Sequence, residues 1–260
     1  MKLSRKSHCK INLLLNVVGQ RADGFHELEM LMLPVPIFDR LDLELISHGI
    51  ELTILSLNAP ALQAILDPSE AIETARKAND IMAGEVAKRR DRFRGFAALP
   101  MQDVDAAIAE LQRCVKDLGF VGALVNGFTQ RLVEDSAVYF DIPEYRPFWA
   151  ALEELDVPFY LHPRTQIAAR MQPYEGHPWL ISAAWGFARE TSIHALRLIG
   201  SGLFDDHPGL QIVMGHLGER IPFDMWRIDH RLRKIPNGFP CKKEMGDYLR
   251  TNFHFTTARN

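Results

Sequence analysis

From residue 50 onward, short apolar runs alternate with helical patterns, and the alternation recurs about every 40 residues. The runs fall at 52–57, 93–99, 120–125, 157–162, 211–216 and 252–257. Short apolar runs of this kind, each followed by a helix, read as strands buried on both faces. Strands joined by helical crossovers lie parallel in one sheet. The regular spacing and chain size suit an α/β fold of the (β/α)8 barrel type better than an open doubly wound sheet.

The helices carry their own start signals. Asp67 reads as an N-cap with Pro68 at the first helical position, and Ile72, Ala75, Ile81, Met82 and Val86 are expected to face inward. Asp103 caps a second helix with Ile108, Leu111, Val115 and Leu118 at helical spacing, closed by Gly119. Phe148, Leu152 and Leu155 mark a third, and 187–199 a fourth. Between them, 165–184 is a long Pro- and Gly-containing loop holding Tyr174, His177 and Trp179. A loop of that length beside a barrel mouth is expected to be a lid or substrate wall. The first 45 residues do not join the alternation, and a composition shift at 46–49 marks a junction between 1–45 and 46–260.

A net charge of −3 gives no basic excess for nucleic acid or an anionic membrane, and neither is expected as a partner. The three cysteines include no Cys-x-x-Cys pair, which argues against disulfides and a thiolate zinc site and for a reducing, cytoplasmic setting. No apolar stretch approaches the ~20 residues that span a bilayer. The glycine-rich signatures of nucleotide cradles are missing.

Two of the apolar runs end on histidine. His162 closes Val157-Pro-Phe-Tyr-Leu-His162, and His216 closes Gln211-Ile-Val-Met-Gly-His216. Strand C-termini form the active-site mouth of a β/α barrel, so both imidazoles are candidates for chemistry. Neutral imidazole ligates zinc or manganese, and His162 is the metal-ligand candidate. Glu219 follows His216 by three residues, where it either sets the imidazole's tautomer for proton transfer or, instead, bonds Arg220 or caps the next helix. Asn126 ends a strand at the same rim, within reach of a substrate oxygen. Phe187 and Trp179 read either as an aromatic wall or, for Phe187, as core. Trp226, Arg227, Asp229 and His230 read as a salt-bridge network or a subunit contact, and His194, in mid-helix, as structural.

At these residues the chain resembles the metal-dependent aromatic acid decarboxylases of the amidohydrolase superfamily, nearest the γ-resorcylate and 2,3-dihydroxybenzoate decarboxylases. The resemblance rests on Ile54-Leu-Ser-Leu-Asn-Ala-Pro60, Gly122-Ala-Leu-Val-Asn126, Leu155-Asp-Val-Pro-Phe-Tyr-Leu-His-Pro-Arg164, Ser201-Gly-Leu-Phe-Asp205, Met214-Gly-His-Leu-Gly-Glu219 and Pro222-Phe-Asp-Met-Trp-Arg-Ile-Asp-His230. It implies a distorted barrel of amidohydrolase type with one divalent metal, Zn²⁺ or Mn²⁺, chelating a small aromatic carboxylic acid, and a homo-oligomer in the intact family. By position it makes His162 a metal ligand, His216 and Glu219 the catalytic pair, and Asn126 and Phe187 the substrate lining. The family's first strand carries a Glu-x-His ligand pair and its eighth an aspartate that binds metal and is the expected proton donor. Neither has a counterpart in this sequence, so an incomplete barrel with weakened metal binding and impaired activity is expected.

Instead, Ser7-His-Cys-Lys-Ile-Asn-Leu13 and Gly19-Gln-Arg-Ala-Asp-Gly-Phe-His26 resemble the start of a diphosphocytidyl-methylerythritol kinase of the GHMP fold, with Lys10 and Asn12 at substrate-side positions. Two other functions stand beside the decarboxylase. One is a metal-dependent hydrolase of the same superfamily, and the other a non-catalytic remnant that associates with intact subunits.

Overall fold

The computed structural model describes residues 52–257 with their side chains, and before them the backbone of four strands. These are β1 (Lys2–His8), antiparallel to β4 (Phe38–Glu44), and β2 (Asn12–Gln20), antiparallel to β3 (His26–Met32). The kinase-like resemblance at 1–45, with Lys10 and Asn12, rests on side chains outside the described residues.

The six expected strands form, each shorter than its apolar run: β5 (Thr53–Leu55), β6 (Phe93–Gly95), β7 (Ala123–Asn126), β10 (Phe159–His162), β11 (Ile212–Met214) and β12 (Phe253–Phe255). β5 pairs with β6, and β7, β10, β11 and β12 pair in that order, all parallel. A parallel bridge between Ala97 and Ala123 joins the two groups. Each strand therefore lies beside the next in sequence, as in a β/α barrel wall. Among the described residues β5 and β12 are not paired with each other, so these strands form an arc of the wall rather than a closed ring.

Helices α1 (Pro68–Lys88), α2 (Val104–Lys116), α3 (Arg146–Glu154), α4 (Gly186–Gly200), α5 (Leu203–Asp206), α6 (Ile221–Lys234) and α7 (Met245–Asn252) cover the arc. Asp67 Oδ1 accepts from Glu70 N at 2.9 Å and Asp103 Oδ1 from Ala106 N at 2.9 Å, so both expected caps form. The inward face of α1 is Ala71, Ala75, Ala78, Asn79, Met82 and Val86. Ile72 and Ile81 are exposed, against expectation, because they flank the small-residue stripe that lets α1 approach the sheet. On that stripe Asn79 donates to Ala98 O and accepts from Ala98 N, both at 2.9 Å.

Under α3 the core is aromatic. Trp149 packs edge-on against Phe159 with ring centroids 5.0 Å apart, and its Nε1 donates to Phe140 O at 2.8 Å. On β10, Phe159 and Leu161 are buried against the helices, while Tyr160 and His162 take the opposite, barrel-interior side. A hairpin of β8 (Thr129–Arg131) and β9 (Val133–Val138) follows β7. The 165–184 loop is built from short 3₁₀ turns at Ala168–Arg170, Gln172–Tyr174 and Pro178–Leu180. Among the described residues, no helix is long and apolar enough to cross a membrane.

Candidate active site

β7 and β10 pair so that Asn126 and His162 are register partners at the C-terminal ends of neighbouring strands. Asn126, 1% exposed, donates from Nδ2 to Leu57 O at 3.4 Å. That contact turns its Oδ1 toward His162 Nδ1, 2.8 Å away. An amide oxygen only accepts, so Nδ1 carries the proton and Nε2 keeps its lone pair. Burial, then the neighbouring His216, push the His162 imidazole down to about 4, so it is neutral at physiological pH. A neutral imidazole with a fixed tautomer is the form that ligates a metal. Asn126 itself stands behind His162, its amide occupied, rather than on the cavity wall.

His216 comes from an unusual turn. The five residues from His216 to Arg220 all have positive φ, at 51°, 58°, 74°, 50° and 72°. Left-handed backbone costs roughly 1–2 kcal/mol per non-glycine residue. Hydrogen bonds brace the turn: Leu217 N donates to Thr256 O at 3.0 Å and Gly218 N to Gly215 O at 2.9 Å. The result sets Glu219, 4% exposed, against His216, with Glu219 Oε1 accepting from Nδ1 at 2.5 Å. That hydrogen bond raises the His216 pKa. Arg220 turns instead to Asp224, 3.4 Å away, so of the two readings of Glu219 the imidazole partner prevails. The His162 and His216 rings lie 6.0 Å apart, one held neutral and the other biased toward carrying a proton.

His162 lines a cavity of about 570 Å³ with Arg164, Gln166, Ile167, Phe187 and Pro60. Phe187, half-buried at the start of α4, faces this cavity. Residues 165–168 form part of the wall, as expected of the long loop, whereas Trp179 stands 64% exposed away from it. Among the described residues the Trp226 group does not close into a salt-bridge network. Trp226 stacks on His230 at 5.2 Å at the surface, and Asp229 accepts from Gly246 N at the start of α7. His194 is structural: it is fully buried and its Nε2 accepts from Phe140 N at 3.0 Å. Sequence reasoning passed over Arg164 and the β8–β9 hairpin. A charged residue directly after His162-Pro163, at the end of a buried strand, was the available signal for the first. Among the described residues no group of three or more His, Cys, Asp or Glu side chains is arranged to hold a metal.

Comparison with known proteins places this geometry in context. The amidohydrolase family model matches residues 54–232. The γ-resorcylate decarboxylase of Rhizobium sp. (strain MTP-10005) is 60% identical over 216 residues, covering 82% of this chain and 66% of that protein. The chain thus spans a little under two thirds of that relative. Among solved structures, 2,6-dihydroxybenzoate decarboxylase from Rhizobium superposes with a TM-score of 0.79 at 60% identity, over 81% of this chain and 66% of that one. A dihydroxybenzoic acid decarboxylase from Polaromonas sp. JS666, bound to manganese and the inhibitor 2-nitroresorcinol, gives a TM-score of 0.78 at 56% identity, over 81% and 64%.

Proposed function

The chain belongs to the amidohydrolase family, and from that premise we propose that it is a carboxy-lyase acting on a hydroxybenzoate of the 2,6- or 2,3-dihydroxybenzoate kind. The observation that carries this reading is the division of labour between two imidazoles whose rings lie 6.0 Å apart, with His162 on the wall of the cavity. His162 is held neutral by Asn126, and His216 is biased by Glu219 toward holding a proton. Groups pushed apart in this way are the mark of assigned acid–base roles. Pro60, Ile167 and Phe187 give the cavity apolar surface suited to an aromatic ring.

A divalent metal, manganese or zinc, fits His162 Nε2 as one donor, and the manganese-bound relative supports the choice. The described residues do not by themselves complete a ligand set, so metal loading is the first quantity to measure. When bound, the metal would offset negative charge on the substrate's carboxylate and ortho-hydroxyl oxygens. This chain's residues do the rest. Phe187 and Ile167 flank the ring and exclude water. His216, whose proton affinity Glu219 raises, is the group that would hand a proton to the ring carbon bearing the carboxylate. Protonation there breaks aromaticity. Cleavage of the carbon–carbon bond then returns its electron pair to the ring as carbon dioxide leaves.

The test is carbon dioxide release from 2,6- and 2,3-dihydroxybenzoate by manganese-loaded protein, with metal content measured in parallel. Steady release supports the reading. Metal-loaded protein that releases none, or that instead hydrolyses amides or lactones, overturns it. The exposure of Phe223 (84%) and Trp226 (77%) on α6 favours self-association, in keeping with a homo-oligomer. Light scattering of the protein, with F223D beside it, tests that point. We place the protein in the cytoplasm, a reading supported by its free Cys114 and Cys241.

A further inference from the structure

A buried arginine ordinarily ends on a carboxylate. Arg164 does not. It is 4% exposed and lines the same cavity as His162 and Phe187. Its NH1 donates to Gln63 O at 2.9 Å and Phe128 O at 3.0 Å. Its NH2 donates to Gln130 Oε1 at 2.6 Å and its Nε to Thr165 O at 3.3 Å. The guanidinium carbon lies 4.3 Å from the Phe128 ring centroid. Every one of these partners is neutral. They use all but one of the N–H groups of the fork, and a second N–H on NH2 has no acceptor among the described residues.

Glu190 acts on it through space, but among the described residues no acid pairs with it directly. Glu190 accepts from Tyr139 OH at 2.7 Å and pairs with Arg170 at 3.4 Å. Glu134 and Asp135 line the cavity from the exposed start of β9, where solvent screens them, and make no ion pair with Arg164. An arginine guanidinium keeps its charge at neutral pH. The fold also makes room for the side chain. Gly127 adopts φ +64°, and a Cβ there would fall 2.7 Å from Arg164 Cγ. Neutral acceptors satisfy donors but pair no opposite charge with the guanidinium, and in a cavity wall its positive charge favours an anion inside.

We infer that Arg164 is the fixed positive charge that selects carboxylate-bearing ring ligands in this cavity, acting independently of any metal. The inference rests on the aromatic-acid reading above and deepens it. Two ligands isolate the effect: 2,6-dihydroxybenzoate, and resorcinol, which is the same ring without the carboxylate. Affinities are measured by calorimetry on the full chain in the presence of a chelator. The wild-type protein prefers the acid by about tenfold at low salt. R164M abolishes the preference, and R164K retains most of it. An arginine that merely tied loops together would weaken both ligands alike in R164M.

A retained preference in R164M overturns the inference, as does a wild-type protein that binds the two ligands equally or binds neither. Should R164M fail to fold, the wild type alone still decides, because its preference must shrink as salt is raised. Failure of the decarboxylase reading is visible separately, as a metal-loaded protein that keeps the preference yet releases no carbon dioxide.

Discussion

Asn126 Oδ1 accepts from His162 Nδ1 at 2.8 Å, across two parallel strands whose register makes the residues direct partners. The relationship is a backbone property first, since the pairing of β7 with β10 delivers the amide to the imidazole. It is a chemical property second, since an acceptor at Nδ1 leaves Nε2 as the ligating atom.

N126A removes that acceptor and also leaves Leu57 O without its donor. Manganese affinity, followed by electron paramagnetic resonance titration, is expected to fall roughly 10–100-fold. N126D restores an acceptor at Nδ1 and is expected to bind manganese at least as well as N126A and closer to the wild type. Wild-type affinity in N126A would show that the amide does not orient the ligand.

The turn that presents His216 is the second point of sensitivity. Gly218 has φ +74°, and a Cβ would fall 2.7 Å from Phe255 Cδ1. G218A therefore combines backbone strain with a clash against a strand residue and is expected to cost about 1–3 kcal/mol in urea unfolding. Moving Glu219 away from His216 also removes the contact that raises the imidazole, so the His216 pKa drops toward its ordinary value in an NMR titration. An unchanged stability and an unchanged His216 titration would rule out a strained, positioning turn.

Much of the barrel wall was legible because apolar runs and helical spacing are local signals. His162 and His216 stood out because a polar group that ends a buried strand breaks a hydrophobic pattern. Other features depend on partners far along the chain. The role of Asn126 follows from strand register, which no periodicity encodes. The left-handed run at 216–220 uses mostly non-glycine residues, so composition gives no warning of it. The hairpin at Thr129–Val138 turns through Leu132 at φ +67° instead of an Asn-Gly or Asp-Gly pair. Ile72 and Ile81 looked like core by hydrophobicity alone, whereas the close approach of α1 selects alanines for its inner face.

The last prediction concerns acid. His194 is fully buried between Tyr139 and Phe140, with ring centroids 4.9 and 4.8 Å away, and its Nε2 must stay unprotonated to accept from Phe140 N. Burial pushes its pKa down to about 3 from an ordinary 6.5. A depressed folded-state pKa means the unfolded chain takes up the proton first. The stabilisation is therefore complete above pH 6.5 and is lost as pH falls from there toward 3, at about 1.4 kcal/mol per pH unit. His162, lowered to about 4, acts in the same direction, and His216, which is raised, opposes it. Urea unfolding at pH 7, 6 and 5 should show falling stability, and H194Q, which keeps a neutral acceptor for Phe140 N, should flatten the slope even if it is less stable at pH 7. The same pH slope in H194Q and in the wild type would assign the acid sensitivity to other groups.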